Sequence, residues 1–319
     1  MSTPTHADTQ MPLRVAAITE AAAGIRSFEL TQPDGTELPP FTPGSHVKVQ
    51  TPSGELRKYS LCNDAAERHR YVITVKREDA GGGGSLSMHR DLKVGDTLPT
   101  SLPDNAFPLV EKARAFIFIA GGIGITPILS MIRSFGDLPP APWRLYYLTR
   151  SEETAAYREE LKALGRNVVI HHSEAAGGQY DLWPVLEKPN AGHVYCCGPK
   201  ALMESVRDMT GHWSPANVHF ESFNEGGGIQ PDDQPFNVKL ARSGKEFVVP
   251  VGKSILATLR EHGCNAPSSC ESGTCGTCRT ALLEGEADHR DMVLMPEEMQ
   301  GQVMICVSRA RSERLVIDL

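Results

Sequence analysis

Four cysteines near the C-terminal end restrict the possible folds of this chain more than any other feature. They have the spacing Cys-x4-Cys-x2-Cys with a fourth member after 27 further residues, and they are Cys270, Cys275, Cys278 and Cys306. Thiolates at this spacing hold the two irons of a plant-type [2Fe–2S] cluster. Gly273 and Gly276 allow the unusual backbone angles that such a tight loop requires. We therefore predict that these four cysteines are iron ligands.

Two other interpretations of the cysteines stay open at this stage. A structural zinc site usually pairs two Cys-x2-Cys knuckles, whereas one is present here, and unliganded thiols are the second alternative. Ser272, Thr274 and Thr277 are candidate hydrogen-bond donors to cluster sulfur. The apolar run 303–307 predicts that Cys306 lies on a strand. The other cysteines lack ligand spacing, and we expect them to be small buried side chains: Cys62, Cys196, Cys197 and Cys264.

The length of 319 residues is too great for a single hydrophobic core and suits two or three domains. Residues 1–109 alternate turn residues with short β-rich runs at 26–30, 46–50 and 71–76, which predicts an antiparallel barrel or sandwich. Residues 110–225 alternate strands with helices, which predicts a parallel, doubly wound α/β sheet. Its first helix is predicted at 127–135, and its strands at 115–120, 144–148, 168–172 and 193–197.

The last third of the chain begins after a polar, glycine-rich stretch. Residues 226–235 have no hydrophobic periodicity and are predicted to be an interdomain linker. A domain at 236–319 follows, with predicted strands at 237–241 and 246–249 and a helix at 254–262. Ser254 is the expected N-cap of that helix, and Gly263 is expected to end it.

Two glycine turns indicate a nucleotide site in the α/β segment. The run Gly-Gly-Ile-Gly-Ile-Thr-Pro at 121–127 follows a predicted strand, and Thr126 and Pro127 are expected to be the N-cap and the first residue of a helix. Free amides at a helix start favour phosphate. The second turn, 196–199, follows a later strand. Taken alone, the first turn is explained equally well by a strand–helix connection without a ligand, but two such turns suit a dinucleotide crevice.

A flavin signal lies in the first segment, at 57–61. Its arginine can pair with a phosphate, its tyrosine can line a ring system, and its serine can donate a hydrogen bond. The glycine run 81–84 before Ser85 can present backbone amides to the same phosphate. Judged by residue types alone, an ordinary strand with an exposed arginine is the simpler interpretation.

The three signals, taken in order, resemble the phthalate dioxygenase reductase family, the FMN-containing reductases of Rieske oxygenases. The resemblance covers essentially the whole length and is carried by the runs RKYSLCND, GGIGITP, HVYCCGP, HFESF and PSSCESGTCGTC. It implies a multidomain fold: an FMN-binding antiparallel β-barrel at 1–109, an NAD-binding α/β domain at 110–225 and, after the 226–235 linker, a β-grasp ferredoxin domain at 236–319. It also replaces the simpler interpretation of the flavin signal.

The resemblance implies roles for particular residues. Thr126 and Phe223 would act at the flavin ring as catalytic residues; the less favoured alternative for Phe223 is a core aromatic at a domain boundary. The residues implied to bind FMN, besides these two, are Arg57, Lys58, Tyr59, Ser60, Thr74, Val75, Lys76, Gly82, Gly83, Gly84 and Ser85. Those implied to line the nicotinamide path are Gly122, Gly124, Cys197, Gly198 and Pro199.

The function implied by the resemblance is electron transfer to a Rieske-type oxygenase. NADH gives a hydride to FMN, and the [2Fe–2S] cluster passes electrons on singly. NADH rather than NADPH is implied, and Glu152 favours the ribose diol, although Arg150 would tolerate a 2′-phosphate. Two alternatives are a reductase for another acceptor, such as a diiron hydroxylase, and a non-enzymatic zinc or redox binding module.

Charge and hydropathy bear on the cellular location of the protein and on its binding partners. The formal net charge of -7 argues against nucleic acid or an anionic membrane as a main partner. We find no apolar run of membrane-spanning length and no signal-peptide core at residues 1–10. We therefore expect a cytoplasmic enzyme.

Overall fold

The computed structural model describes residues 10–80, 83–136, 139–223, 230 and 232–319. The chain divides into two compact units, Met1–His219 and Phe220–Leu319. The predicted barrel and nearly all of the predicted α/β domain fall in the first unit, so the exact boundaries of the predicted domains stay predictions. Among the described residues, no helix combines the length and apolar composition needed to cross a membrane.

The first part of the chain forms an antiparallel β-barrel around its own core. Its elements are β1 (Gln10–Ala22), β2 (Ile25–Thr31), β3 (His46–Gln50), β4 (Leu56–Ser60), β5 (Tyr71–Lys76), α1 (Gly84–Arg90) and β6 (Thr97–Ser101). The strand order is β4-β3-β6-β1-β2-β5 with antiparallel pairing. A bridge from Leu61 to Ile73 joins the end of β4 to β5 and closes the sheet. The predicted barrel is confirmed.

The alternation along β5 shows how the barrel is packed on both sides. Tyr71, Ile73 and Val75 point into the barrel core. Val72, which lies between them, packs against the core of the following α/β segment. Successive side chains of a strand point to opposite faces, so β5 is covered on both sides.

The second part of the chain is a mainly parallel sheet with helices. Its elements are β7 (Phe116–Gly121), α2 (Ile125–Arg133), β8 (Trp143–Thr149), α3 (Arg158–Ala163), β9 (Val168–His172), α4 (Ser173–Ala176), α5 (Trp183–Leu186), β10 (His193–Cys197), α6 (Lys200–Met209) and β11 (Val218–Glu221). The order is β11-β10-β7-β8-β9, and the β10–β7, β7–β8 and β8–β9 pairs are parallel. The predicted α/β sheet is confirmed.

The predicted start of α2 is wrong by two residues. A short 3₁₀ turn, Gly122–Gly124, runs directly into the helix, so the helix begins at Ile125 and Gly124 is its N-cap. Thr126 is therefore inside the first turn, where its hydroxyl donates to the Ile123 carbonyl at 3.1 Å. Pro127 fits there because the first amides of a helix have no intrahelical partner.

The second unit has a β-grasp arrangement. Its elements are β12 (Phe236–Leu240), β13 (Glu246–Val249), α7 (Ile255–Glu261), β14 (Arg279–Glu284), β15 (Ala287–Asp288), β16 (Gln302–Met304), β17 (Arg309–Ala310) and β18 (Arg314–Ile317). The main sheet has the order β13-β12-β18-β14-β16, in which β12 and β18 are parallel. Ser254 caps α7 by accepting the Ala257 N–H at 3.1 Å, and Gly263 follows the helix with φ +71°. Both predictions about this helix are confirmed.

The predicted strand at Cys306 is wrong. Strand β16 ends at Met304, whose carbonyl accepts the N–H groups of Val307 at 3.2 Å and Ser308 at 2.9 Å. These bonds close a turn, and Cys306 lies inside it. The apolar run therefore marks a buried turn rather than a continuous strand.

A buried ion-pair network holds Asp233 to the second unit. Its carboxylate accepts hydrogen bonds from Arg290 at 2.6 and 3.2 Å, and Arg309 Nε lies 3.3 Å away. The Gln230 N–H also donates to it at 3.0 Å. Burial alone would raise the pKa of Asp233, but the Arg290 hydrogen bonds and the neighbouring positive charges lower it overall. The end of the predicted linker is thus part of the folded unit.

We expect Asp233→Asn to destabilise the second unit. It removes the carboxylate that pairs with buried Arg309 and leaves Arg290 with Asp288 alone, which costs about 3 kcal/mol and lowers the unfolding midpoint by roughly 10 °C. The unfolding midpoint of the second unit is measured by the loss of cluster absorbance on heating. The neighbouring Asp232→Asn, at an exposed position, is the control. Equal midpoints for the two variants would contradict the role given to the network.

Candidate functional site

The four predicted iron ligands form two pairs in the second unit. Cys270 lies beside Cys275, and Cys278 lies beside Cys306. Cys278 and Cys306 are buried in the core of the unit, and Cys275 is half-buried. A [2Fe–2S] cluster needs two cysteine sulfurs for each iron, so the donor set fits this group.

The cluster loop surrounds the sulfurs with backbone amides. The N–H groups of Ser272 and Thr274 donate to Cys270 Sγ at 3.5 and 3.4 Å, and the Cys270 N–H donates to Cys275 Sγ at 3.5 Å. The bond from Cys275, then those from Thr274 and Ser272, lower the pKa of Cys270, which favours the thiolate that binds metal. The predicted donation by loop amides is confirmed for these two residues.

Backbone geometry explains why glycines occur in the cluster loop. Gly273 and Gly276 have φ +75° and +83°, and a Cβ on Gly273 would lie 2.8 Å from Val307 Cγ2. Glu271 also has a positive φ, +55°, and was not identified from the sequence. Its carboxylate accepts a hydrogen bond from Arg260 at 2.9 Å. A glutamate at such an angle gives no sequence signal.

The two predicted glycine turns of the first unit meet backbone to backbone. A Cβ on Gly124 would lie 2.2 Å from the Cys197 carbonyl oxygen and 2.8 Å from the Gly198 nitrogen. A Cβ on Gly121 would lie 2.6 Å from Pro199 Cδ. The turns follow β7 and β10, which are parallel neighbours, so both are at the carboxyl edge of the sheet. Dinucleotides bind at this edge in doubly wound folds.

The remaining residues predicted at this crevice have clear positions. Gly122 adopts φ +53° in the 3₁₀ turn, and Pro199 is the N-cap of α6. Thr126 is buried in α2, and Cys197 is buried at the end of β10. Their contacts with a nicotinamide stay predictions.

The predicted flavin residues at 57–60 lie on β4. Arg57 pairs with Glu55 at 2.7 Å and lies beside the start of α1, because a Cβ on Gly84 would be 3.1 Å from Arg57 Cγ. An arginine beside helix-start amides suits a phosphate. The buried hydroxyl of Ser60 has no hydrogen-bond partner in the described part of the chain, so it can bond a ligand. This geometry fits FMN.

Other predicted flavin contacts are more restricted. On β5, Val75 points into the barrel core, the Thr74 hydroxyl bonds Ser27 at 2.8 Å, and exposed Lys76 pairs with Glu78 at 2.6 Å. Since these side chains have other contacts, the backbone of Thr74 and Val75 is the part that would contact FMN, and these contacts stay predictions. The structure places the remaining predicted residues as follows: Lys58 and Tyr59 on β4, Gly83 at the N-cap of α1, and Ser85 in α1, where its hydroxyl accepts the Glu78 N–H.

Two predicted flavin residues receive no test from the geometry. Gly82 lies outside the described residues. Phe223 belongs to the second unit, where its side chain is 40% exposed. Its role at the flavin stays a prediction.

Comparison with known proteins defines the class. Residues 238–311 match the model of the 2Fe-2S iron-sulfur cluster binding domain, and residues 118–208 match that of the oxidoreductase NAD-binding domain. The chain is thus an NADH-dependent oxidoreductase that transfers electrons through FMN and a [2Fe–2S] cluster. This excludes the non-enzymatic zinc module considered from the sequence.

The relatives define the family. The phthalate 4,5-dioxygenase oxygenase reductase subunit of Pseudomonas putida is 55% identical over 96% of both chains. Phthalate dioxygenase reductase of Burkholderia cepacia is 51% identical over the full length of both. A solved structure of phthalate dioxygenase reductase matches with a TM-score of 0.74, 51% identity and 98% coverage of both chains. The chain belongs to the phthalate dioxygenase reductase family.

We expect Cys306→Ala to remove the cluster and leave FMN in place. One iron would lose a ligand, whereas the predicted flavin residues on β4 lie in the other unit. Iron analysis and the visible spectrum measure the outcome. Cys264→Ala, which replaces a half-buried cysteine outside the ligand set, is the matched control. A Cys306→Ala protein that keeps two irons would show that the ligand assignment is wrong.

We expect Gly124→Ala to weaken NADH binding. The added methyl group must push the two turns apart, at a cost of about 1–3 kcal/mol, so the KM for NADH should rise about tenfold or more. Gly178→Ala is the control, because a Cβ there meets nothing within 4 Å and its φ is not positive. A KM unchanged within twofold in Gly124→Ala would contradict the placement of the crevice.

Proposed function

We propose that this chain carries electrons from NADH, through FMN and its [2Fe–2S] cluster, to the oxygenase component of an aromatic-ring dioxygenase of the phthalate type. The four cysteines Cys270, Cys275, Cys278 and Cys306, all in the second unit, are the observation that carries the proposal, because four thiolates suit a [2Fe–2S] carrier that releases electrons singly. The names of the two reductases that are 51 and 55% identical support the aromatic substrate class.

The residues at the carboxyl edge of the parallel sheet would hold the nucleotide. Gly122, Gly124, Gly198 and Pro199 offer a close approach to the backbone, and Cys197 leaves space with a small buried side chain. Glu152, which pairs with Arg158, would accept hydrogen bonds from the ribose hydroxyls of NADH. Their work is to orient the nicotinamide and to exclude water.

The barrel would hold the flavin. Arg57 and the amides at the start of α1 would bind the phosphate, and Ser60 would bond the ring or its side chain. When bound, FMN accepts a hydride and gives up its two electrons one at a time. Thr126 would approach the ring from the nucleotide side, and Phe223 would cover it.

The direction of electron flow is favourable for a Rieske acceptor. Plant-type clusters lie near about -400 mV and Rieske centres at about -150 mV or above. The difference of roughly 250 mV makes each transfer downhill by about 6 kcal/mol. The chain's contribution is the set of amides that donate to Cys270 Sγ, which would tune the potential of a cluster held there.

We also propose that the protein works in the cytoplasm. Its function requires four cysteines as thiolates, and a reducing compartment keeps thiols free. Secretion of the mature protein, detected by fractionation, would contradict this.

We expect the cluster to be the required exit for electrons. With NADH as donor, Cys306→Ala should reduce ferricyanide, which takes electrons directly from flavin, at a near wild-type rate. Its support of phthalate oxidation by the oxygenase component of a phthalate dioxygenase should fall at least a hundredfold, because the one-electron carrier is missing.

Product formation and oxygen uptake measure how well each variant supports phthalate oxidation by the oxygenase. The control, Cys264→Ala, should support it at the wild-type rate. Full support of the oxygenase by Cys306→Ala would exclude the proposed route. Efficient NADH oxidation with no phthalate oxidation by the wild-type protein would indicate a different acceptor.

A further inference from the structure

A buried cluster of hydroxyl and thiol groups joins the barrel to the α/β segment within the first unit. The Tyr157 hydroxyl lies 2.6 Å from Ser27 Oγ and 3.4 Å from Cys62 Sγ, and it also bonds Thr74 Oγ1. Ser27 and Thr74 are bonded to each other at 2.8 Å. Three of these side chains belong to the barrel, and Tyr157, just before α3, belongs to the α/β segment.

Tyr157 reaches this position in a backbone conformation that a tyrosine rarely adopts. Its φ of +59° and ψ of +20° are left-handed. A non-glycine residue keeps such angles where surrounding contacts fix them, and such residues concentrate at functional sites. The local sequence therefore does not favour this geometry, and the hydroxyl cluster is the contact that fixes it.

Arg133 packs over the ring of Tyr157. The guanidinium carbon of Arg133 lies 5.1 Å from the ring centroid, and its Nη1 donates to the Cys62 carbonyl at 2.6 Å. Glu160 accepts two hydrogen bonds from the same guanidinium, at 2.8 and 2.6 Å. Arg133 is thus fixed by groups on both sides of the junction.

These contacts connect the two cofactor regions through rigid elements. Helix α2 begins at the glycine turn of the nucleotide crevice and ends at Arg133, which holds Cys62. Cys62 comes two residues after Ser60, the last residue of β4. Thr74 lies on β5, which runs through the second group of predicted flavin residues. The Tyr157 cluster therefore connects β4 and β5, which carry the predicted flavin residues, to α2, which begins at the nucleotide turn.

We propose that Tyr157 is a positioning residue for hydride transfer: its hydroxyl fixes β4 and β5 relative to α2 and so sets the approach of NADH to FMN. The inference rests on the proposed function. Hydride transfer requires the reacting atoms to approach within roughly 3–3.5 Å, and a displacement of about 1 Å can reduce the rate a hundredfold. A bond that fixes the two sheets contributes to this alignment without touching either reactant.

The test is Tyr157→Phe in the full-length holoprotein. The variant keeps the ring beneath Arg133 and removes only the oxygen atom. We expect the limiting rate of flavin reduction at saturating NADH, measured by anaerobic stopped-flow, to fall about tenfold. FMN content, iron content and reduction by dithionite should remain those of the wild type, because these do not depend on nicotinamide alignment.

A second readout does not depend on turnover. Hydrogen exchange of backbone amides in β5 should be faster in Tyr157→Phe than in the wild type, since the cluster holds this strand. Tyr147→Phe is the control, because it removes the hydroxyl of another tyrosine of the same hydrophobic core, one that lies outside the cluster. It should leave the limiting rate within twofold of wild type.

A folded Tyr157→Phe that reduces its flavin within twofold of the wild-type rate would overturn the proposal, and so would equal losses in the Tyr147→Phe control. If Tyr157→Phe does not fold, Ser27→Ala removes a partner of the same hydroxyl from the barrel side, and the same threshold decides. Failure of the wild-type flavin to be reduced by NADH would instead refute the proposed function.

Discussion

The contact between the two glycine turns is the constraint on which the first unit depends. Gly124 approaches the Cys197 carbonyl so closely that no side chain fits between them. This approach fixes the ends of two neighbouring strands and starts α2 at the same point. The far end of α2 then meets the barrel at Cys62. A backbone contact at one edge of a sheet is thereby transmitted to the strand that carries the predicted flavin residues.

Strands were predictable wherever local alternation and turn residues agreed. The predicted bounds of β3, β5, β9, β10 and β13 are those that the structure shows. The errors occur where hydrogen bonding beyond the immediate pattern decides. The 3₁₀ turn moves the start of α2 ahead of Thr126, and the Met304 carbonyl ends β16 before Cys306. Neither event changes the hydrophobic pattern, so the sequence gives no warning of it.

The candidate site was predictable to the extent that its chemistry is local. Cys270, Cys275 and Cys278 lie within one loop, and their spacing alone identifies the cluster. The Tyr157 cluster is different, because its partners lie 130, 95 and 83 residues away in the chain. A lone tyrosine before a short helix carries no pattern. Contacts of this kind become visible when the barrel and the parallel sheet are placed side by side.

The burial of the non-ligand cysteines makes this protein convenient for site-specific labelling. Burial raises the pKa of Cys62 and of Cys196, and Cys197 is equally inaccessible, so these thiols should resist alkylation. The cluster occupies four more. Cys264, half-buried after α7, is the remaining thiol open to reagent. A spin label or fluorophore would therefore attach at one defined position in the ferredoxin domain of the unaltered chain.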